Sequence, residues 1–217
     1  MDSENEKRLA AEAAAELVED GMAVGLGTGS TVAFLLPALA RRRLDLRCVA
    51  TSVATERIGQ ELGLRVETFS GAGAISQLDI AIDGADQIAP SGWLVKGGGA
   101  AHTREKAVAA AADRFVVIAS SDKLVESLVA PVPLELLEYG LAATLQRLGS
   151  VQLRAVPRSP DGGVIADYIG DVSDPEALAA RLSATVGVVE HGLFPATLVS
   201  EIVVARGDRV ERTQPPR

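Results

Sequence analysis

Three glycine-rich segments contain the polar side chains that could carry out chemistry. The first is GLGTGST at 25–31, where Thr28, Gly29, Ser30 and Thr31 precede a predicted helix. Glycines let a backbone approach an anion closely, and hydroxyl groups together with the amides of a helix N-terminus can bind phosphate. A dinucleotide fingerprint requires a glycine at position 30, where this segment has Ser30, and a nucleotide P-loop requires a lysine that the segment lacks. By itself it is compatible with an anion site and with an ordinary turn.

The second segment, Asp83, Gly84, Ala85 and Asp86, follows a predicted strand. Two carboxylates three residues apart at the end of a strand can face one pocket. Crowding of like charges raises the pKa of one of them, which suits acid–base exchange with hydroxyl groups. The alternative interpretation is a solvated turn.

The third segment begins with Lys96, Gly97, Gly98 and Gly99 and leads into a predicted helix with Glu105 in its first turn. Consecutive glycines before a helix are typical of a nest of amides that binds an oxyanion, and Lys96 adds a cation. The alternative is a flexible loop followed by a helix with an acidic first turn, which is common.

The elements that must position these segments alternate between strand and helix. A capping box of Ser3 and Glu6 predicts a first helix that ends near Gly21, and Pro37 is expected to kink or shorten the helix over 31–43. Apolar runs predict strands at 22–26, 46–51, 64–69, 78–83 and 114–120. Because these strands are apolar on both faces, they predict an α/β fold, a mostly parallel sheet with helices on both faces. Ligands bind beyond the carboxyl ends of such strands, so the three segments predict one composite site.

The pattern changes after about residue 130. Helices at 139–148 and 174–184 and strands at 151–156, 164–168 and 186–190 predict a smaller α+β, ferredoxin-like domain. The expected organisation is therefore a catalytic α/β domain formed by 1–130 with 198–217, and a small α+β domain formed by 131–197. The apolar run 198–205 is expected to return to the large sheet, and the tail 211–217 is expected to be disordered.

Composition excludes several classes of protein. The 217 residues include 21 Lys and Arg against 29 Asp and Glu, a net charge of −8, and only 3% of the residues are aromatic. A nucleic-acid interface is therefore not expected, because it needs a basic surface or stacking aromatic residues. The single cysteine, Cys48, is expected to be a buried apolar residue, and it indicates a reducing compartment. No apolar run is long enough to span a membrane and the first twenty residues are polar, so we expect a cytoplasmic location without membrane association.

The order and spacing of four motifs carry a resemblance to a known family. GLGTGST, DGAD, KGGGAAxTREK and SSDKLV together resemble ribose-5-phosphate isomerase type A, over nearly the whole chain from Lys7 to about Val210. The resemblance implies an aldose–ketose isomerase that interconverts ribose 5-phosphate and ribulose 5-phosphate through an enediolate. It also implies that no metal or other cofactor takes part, so that activity should survive EDTA, and that the chain forms a homodimer or homotetramer.

The resemblance also assigns roles to individual residues. Glu105 corresponds to the general base, Asp83 to the acid–base residue for ring opening and proton movement on oxygen, and Lys96 to the cation beside the developing enediolate. These roles agree with the chemistry, because a weakly acidic C–H needs a base together with positive charge or amide donors at the oxygen that becomes negative. The substrate-binding segments of the family correspond to Thr28–Thr31, Asp83–Asp86 and Lys96–Gly99, and its basic residues near the phosphate correspond to Lys7 and Lys123.

Several departures and alternatives remain open at this stage. His102 stands where the family usually has an apolar residue, and it could compete with Glu105 for the role of base. The small-domain hairpin, usually Asp-Asn-Gly-Asn, has the sequence PDGG at 160–163 and lacks both asparagines. A sugar-phosphate-sensing domain of a transcription regulator is the alternative function, although it would not need Glu105 and would carry a DNA-binding segment. A CoA-transferase-like enzyme would need a much longer chain.

Overall fold

The structure, a computed structural model, describes residues 3–216. Its helices are α1 (Ser3–Ala15), α2 (Val32–Arg42), α3 (Val53–Glu61), α4 (His102–Ala110), α5 (Leu141–Leu148) and α6 (Pro175–Ser183). Its strands are β1 (Ala23–Leu26), β2 (Arg47–Ala50), β3 (Leu78–Gly84), β4 (Gln87–Ile88), β5 (Leu94–Val95), β6 (Ala112–Ser120), β7 (Val132–Leu136), β8 (Val151–Leu153), β9 (Val164–Tyr168), β10 (Val188–His191), β11 (Leu193–Phe194), β12 (Glu201–Arg206) and β13 (Arg209–Thr213).

The chain divides into two compact units. The first comprises residues 3–85, 104–123 and 197–216, and the second comprises 86–103 and 124–196. The segments 86–103 and 124–130, which the sequence analysis assigns to the catalytic domain, cluster with the smaller unit.

The first unit is built on a six-stranded sheet in the order β2-β1-β3-β6-β12-β13. All neighbouring strands are parallel except β13, which runs antiparallel to β12. One face is covered by α1 and α2, whose buried leucine and alanine side chains pack on Leu26, Ile80 and Ile118. The opposite face carries α4, where Gly25 of β1 leaves room for Val108, since a Cβ at position 25 would overlap that side chain. The predicted parallel sheet with helices on both faces is confirmed.

Cys48 lies in the core of this unit. Its side chain is fully buried, and burial raises the pKa of the thiol to about 12. The sequence-based interpretation of Cys48 as a buried apolar residue is therefore confirmed.

The second unit contains two antiparallel sheets. The larger has the order β10-β7-β9-β8, and the chain passes through it as β7-α5-β8-β9-α6-β10. This β-α-β-β-α-β path is the ferredoxin-like arrangement that the sequence predicts. In the smaller sheet, β11-β5-β4, Leu193 pairs with Val95. This pairing places the end of β5, which leads into the glycine loop, beside β11 near the last residues of this unit.

Three local predictions are wrong. The segment 64–69 is not a strand of the sheet, because it makes only an isolated bridge between Val66 and Cys48. The tail is not disordered from residue 211, since β13 extends to Thr213 and a two-residue turn at Gly207, where φ is +57°, returns the chain beside β12. Of the two effects expected of Pro37, shortening does not occur, since α2 continues to Arg42 with buried leucines on either side of Pro37, and a kink stays a prediction.

The fourth correction concerns the capping box. Glu6 does not act as a local cap for Ser3: one carboxylate oxygen accepts hydrogen bonds from the backbone N–H and the hydroxyl of Ser121, at 2.9 and 2.8 Å, and the other accepts from the Gly207 N–H at 2.7 Å. Glu6 is 2% exposed, so its carboxylate is a buried junction between α1 and two distant turns.

Candidate active site

The loop after β1 is held in place by the strand beside it. Thr28 N–H donates to Oδ1 of Asp83 at 3.0 Å, and Thr28 Oγ1 lies 2.7 Å from Oγ1 of Thr51. Thr31 directly precedes α2, so the amides of the following helix N-terminus face the same loop that carries Gly29 and Ser30. These contacts fix a backbone of the kind that binds phosphate.

Asp83 lies at the carboxyl end of β3 and is 3% exposed. Its Oδ1 accepts a second hydrogen bond from the Gly84 N–H at 2.7 Å. Gly27 is required here because any Cβ would overlap the Asp83 carboxylate. The strand order reverses between β1 and β3, so the loop and Asp83 lie at the topological switch point, where open α/β sheets bind their ligands.

Glu105 lies in the first turn of α4, as predicted, and is 5% exposed. The helix has only nine residues, and after Ala111 the chain enters β6 at Ala112. A carboxylate buried near a helix N-terminus is stabilised as an anion by the helix dipole.

The two predicted phosphate-binding lysines belong to segments that Glu6 joins. Lys7 is the residue after Glu6 in α1, and Lys123 ends the 3-10 turn Ser121–Lys123, whose first residue hydrogen-bonds to Glu6. Lys7 pairs with Glu4 at 2.8 Å and Lys123 with Asp122 at 3.4 Å. Hydrogen bonds from the Gly207 and Ser121 backbones lower the pKa of Glu6, so this junction is ionised at neutral pH.

In the second unit, Lys96 is 2% exposed and follows β5. Its backbone N–H donates to the Gly192 carbonyl at 2.8 Å, and its Nζ lies 5.4 Å from the centre of the Phe194 ring. The attraction between an ammonium group and an aromatic face is favourable. This contact therefore helps to hold Nζ of the buried Lys96 in position.

The glycine loop that follows Lys96 contacts Asp86. Gly98 N–H donates to Oδ2 of Asp86 at 2.7 Å, and a Cβ at Gly98 would come within 2.9 Å of that carboxylate. Gly97 has a φ of +97°, and its carbonyl accepts the Ala100 N–H at 2.9 Å, which closes a turn. Asp86 therefore contacts the glycine loop, whereas Asp83 contacts the loop after β1.

His102, the first residue of α4, is fully buried. Its ring lies against Gly97, since a Cβ at Gly97 would come within 2.7 Å of its Nδ1. This contact gives the imidazole a packing role beside the glycine loop.

Several residues that hold these segments were not predicted from the sequence. Arg154 donates to the carbonyl oxygens of Gly97 and Gly98, and its guanidinium also donates to both carboxylate oxygens of Asp167. Glu6 and Thr51 are also absent from the predicted site. The contacts of Thr51 with Thr28, of Arg154 with the glycine loop and of Glu6 with Gly207 span 23, at least 56 and 201 residues, so no local motif could have identified them.

Among residues 3–216, no group of three or more His, Cys, Asp or Glu side chains could hold a metal ion. The helices of the same residues are all too short or too polar to cross a membrane.

A glycine-rich loop that leads into a helix N-terminus at the switch point of a parallel sheet, beside the buried carboxylate of Asp83, is typical of α/β enzymes that act on small phosphorylated molecules. Comparisons with known proteins agree. The family model for ribose 5-phosphate isomerase A (phosphoriboisomerase A) matches residues 47–209. The ribose-5-phosphate isomerase A of Caulobacter sp. (strain K31) is 46% identical over 89% of this chain and 91% of its own length.

Solved structures give the same result for the fold. The crystal structure of ribose 5-phosphate isomerase A from Neisseria gonorrhoeae superposes with a TM-score of 0.92 at 29% identity, covering 99% of this chain and 98% of that one. A D-ribose-5-phosphate isomerase in complex with phospho-erythronic acid gives a TM-score of 0.91 at 29% identity, covering 99% and 100%. The chain therefore belongs to the ribose 5-phosphate isomerase A family, and it is an isomerase.

A second family model, the DeoR C terminal sensor domain, matches residues 2–88 only. That range contains the loop after β1 and the Asp83 segment but ends before Lys96 and Glu105. The part that matches the sensor model therefore contains the candidate anion-binding loop, whereas the candidate base lies outside it.

Proposed function

We propose that this chain interconverts D-ribose 5-phosphate and D-ribulose 5-phosphate through an enediolate, using Glu105, Lys96 and Asp83. The reaction is that of its family, and it belongs to the non-oxidative branch of the pentose phosphate pathway. One observation carries the assignment of residues: Asp83, Lys96 and Glu105 are 3%, 2% and 5% exposed. Burying an ionisable group is costly, so three of them beside glycine-rich loops indicate a functional site.

Glu105 supplies the base. In the open-chain aldose it takes the proton from C2, and the C–H electron pair forms the C1–C2 double bond while negative charge develops on the C1 oxygen. A proton then moves from the C2 hydroxyl to the C1 oxygen, a transfer we assign to Asp83. The same glutamate carboxyl group returns its proton to C1 as the C2 carbonyl forms, which gives the ketose. The carbon acid is weak, so a positioned base is needed, and general acid–base catalysis of this kind contributes about 10²- to 10⁴-fold.

Lys96 and the glycine amides stabilise the oxygen that becomes negative. An ammonium group and backbone N–H groups that are already in position cost no reorganisation when charge develops. Asp83 moves protons between oxygens: in the cyclic sugar it transfers a proton between the anomeric hydroxyl and the ring oxygen, and so opens the ring.

The phosphate group is the handle by which the sugar is held. We assign it to the loop after β1, formed by Thr28, Gly29, Ser30 and Thr31, with Lys7 and Lys123 as cations. The hydrogen bonds of Glu6 to the turn that carries Lys123 support this assignment, since they link the two lysine segments. Binding energy from this remote group can be used to orient the reacting carbons.

The sensor function is the alternative, and Glu105 separates the two. A sensor needs the anion loop and no base, whereas an isomerase needs both. The experiment is a direct assay of ribulose 5-phosphate formed from ribose 5-phosphate by the wild type and by Glu105→Gln. We expect kcat to fall by about 10²- to 10⁴-fold in the variant with little change in KM.

His102→Leu is the matched comparison, because His102 lies three residues before Glu105 in the same helix. If Glu105→Gln loses less than about tenfold while His102→Leu abolishes turnover, His102 is the base and this assignment is overturned. A wild type that binds ribose 5-phosphate without converting it would be a sensor.

Oligomer and location complete the proposal. We propose a homodimer or homotetramer, supported by apolar side chains that the second unit exposes: Tyr139 is 95% and Val186 76% exposed. Sedimentation equilibrium at micromolar concentration tests this, and a monomer at all concentrations contradicts it.

We propose a cytoplasmic location because the substrate is a charged sugar phosphate; cell fractionation that follows the activity tests it.

A further inference from the structure

We propose that Arg154, held by Asp167, is a positioning residue that sets the orientation of the glycine loop after Lys96. The proposal rests on the role given above to that loop. It assigns to the small α+β unit a part in the reaction, through a side chain that lies 56 residues from the nearest glycine it contacts.

The geometry around Arg154 is that of a fixed fork. Its Nε donates to Oδ2 of Asp167 at 2.7 Å and its Nη2 donates to Oδ1 at 2.6 Å. The third nitrogen, Nη1, donates to the carbonyl oxygens of Gly97 and Gly98, at 3.0 and 3.1 Å. The Arg154 and Asp167 side chains are 16% and 19% exposed, so the pair is largely withdrawn from water. Bidentate Arg–carboxylate pairs are the geometrically most defined of ion pairs.

Strand pairing fixes the base of this fork. Arg154 directly follows β8, and its backbone N–H donates to the Ile165 carbonyl in β9 at 3.0 Å. Asp167 lies on β9 opposite Gln152. Both ends of the ion pair therefore stem from one two-stranded segment, and the guanidinium has little freedom to follow a moving loop.

A planar peptide unit carries this constraint to the amides. The carbonyl of Gly97 and the N–H of Gly98 belong to the same peptide and point in opposite directions. Holding the Gly97 oxygen therefore directs the Gly98 N–H, which donates to Asp86 at 2.7 Å. In the same way, holding the Gly98 oxygen directs the Gly99 N–H away from the guanidinium.

Three consecutive glycines make such a constraint necessary. Glycine has the greatest conformational freedom of all residues, so an unsupported loop of this composition would sample many orientations of its amides. Amide donors stabilise a developing oxyanion only if they are already oriented. Because Asp167 balances the charge of Arg154, the pair supplies orientation more than net positive potential.

A second contact supports the same segment from the same unit. Thr103 Oγ1 donates to Oε2 of Glu135, and Ser159 Oγ donates to Oε1 of that carboxylate. Glu135 is 2% exposed, and Gly163 leaves room for it, since a Cβ there would overlap its side chain. The hairpin between β8 and β9 thus holds the glycine loop through Arg154 and, through Ser159 and Glu135, the first turn of α4.

The test compares Arg154→Met and Arg154→Lys with Arg158→Ala, using steady-state kinetics with ribose 5-phosphate. Arg158 is the matched control because it lies in the same hairpin, is half exposed, and bonds to Gly162 and Glu138 rather than to the glycine loop. We expect Arg154→Met to lower kcat by about 10- to 100-fold with less than about threefold change in KM, and Arg158→Ala to retain wild-type kinetics. An equal loss in Arg158→Ala would overturn the proposal.

Arg154→Lys separates orientation from charge. Lysine keeps the cation but cannot form the fork, so its kcat should be close to that of Arg154→Met. Full activity in Arg154→Lys would overturn the proposal. If Arg154→Met does not fold, as judged from its urea unfolding curve, Asp167→Asn takes its place, and the same loss of kcat is expected.

A double-variant cycle with Lys96→Met shows where the effect of Arg154 acts. If both residues serve the same oxyanion, the double variant should lose less than the product of the two single losses. Fully multiplicative losses would overturn the proposal. Failure of the catalytic assignment has a different signature, namely Lys96→Met with wild-type kcat, so the two hypotheses fail separately.

Discussion

Two glycine-rich loops differ in what holds them. The loop after β1 is held by Asp83 of the strand beside it, by Thr51 directly after β2 and by Thr55 in α3. The loop after Lys96 is held by an arginine and a carboxylate of a hairpin more than fifty residues further along the chain. The first loop thus depends on the parallel sheet that creates it, whereas the second depends on a hairpin that is distant in sequence but belongs to the same unit. Substitutions should therefore affect the first loop through the sheet and the second through the hairpin.

The largest effect is expected from Gly27→Ala. The new methyl group would overlap the Asp83 carboxylate, and the side chain that fixes this loop would have to move. A displacement of about 1 Å can cost about 100-fold, so we expect kcat/KM to fall by at least that factor. Gly29→Ala is the comparison, because position 29 has open space and only an unfavourable φ of +116°. Equal losses in both variants would show that backbone conformation, rather than overlap with Asp83, limits the loop.

Gly97→Ala should have an intermediate effect on the second loop. Its Cβ would come within 2.7 Å of His102, and φ is +97°. We expect kcat to fall about tenfold and the free energy of unfolding to fall by about 1–3 kcal/mol. Adding His102→Ala should restore part of the stability, because it removes the overlap and leaves the backbone strain. Urea unfolding of both variants measures this, and no recovery in the double variant would mean that strain alone is responsible.

Thr51→Val should have a smaller effect, confined to the first loop. The substitution keeps the shape of this buried side chain but removes its hydroxyl from Thr28. We expect a loss of about 1 kcal/mol in unfolding free energy and a rise in KM of about fivefold. Thr144→Val, at an equally buried threonine in α5, is the control for stability. A similar rise in KM in the control would contradict a specific role for Thr51.

The smallest effect at neutral pH is expected from Glu6→Gln. Hydrogen bonds from the Gly207 and Ser121 backbones lower the Glu6 pKa from 4.5, so the ionised carboxylate stabilises the fold. Because the folded pKa lies below the unfolded value, this stabilisation is present above pH 4.5 and is lost as the pH falls through the folded pKa.

Thermal unfolding between about pH 7 and about pH 3 measures this contribution. The difference in Tm between the wild type and Glu6→Gln should be greatest at neutral pH and should shrink on acidification. Glu12→Gln, at a surface ion pair with Arg8, is the control and should show little difference at any pH. A Tm gap for Glu6→Gln that does not change with pH would mean that packing, rather than the charge, accounts for the loss.

Local patterns predicted what local contacts determine. The strands 22–26 and 78–83, the helix with Glu105 in its first turn and the ferredoxin-like unit all follow from periodicity and from turn residues. Long-range polar contacts were not predictable in this way. Ser3 and Glu6 have the spacing of a capping box, but Gly207, 201 residues away, offers Glu6 a buried hydrogen bond instead.

The hairpin turn at 160–163 is another feature that the sequence predicted only in part. The absence of two asparagines indicated a change in the small unit, but the sequence could not show what replaces them. Ser159 Oγ accepts the N–H groups of Asp161 and Gly163, at 3.2 and 3.0 Å, and donates to Glu135. A serine just before the motif thus closes the turn, which periodicity alone cannot reveal.

The strand β13 also protects one edge of the six-stranded sheet. Without it, β12 would present a free edge of apolar residues, and such an edge readily adds a strand from another molecule. Arg209, Glu211 and Arg212 line the covering strand, and all of its residues are exposed. At the opposite margin, Arg47 and Glu67 pair across β2 and the segment beside it. Both margins of the sheet thus end in charged side chains, which favour water over a further strand and protect the protein against aggregation.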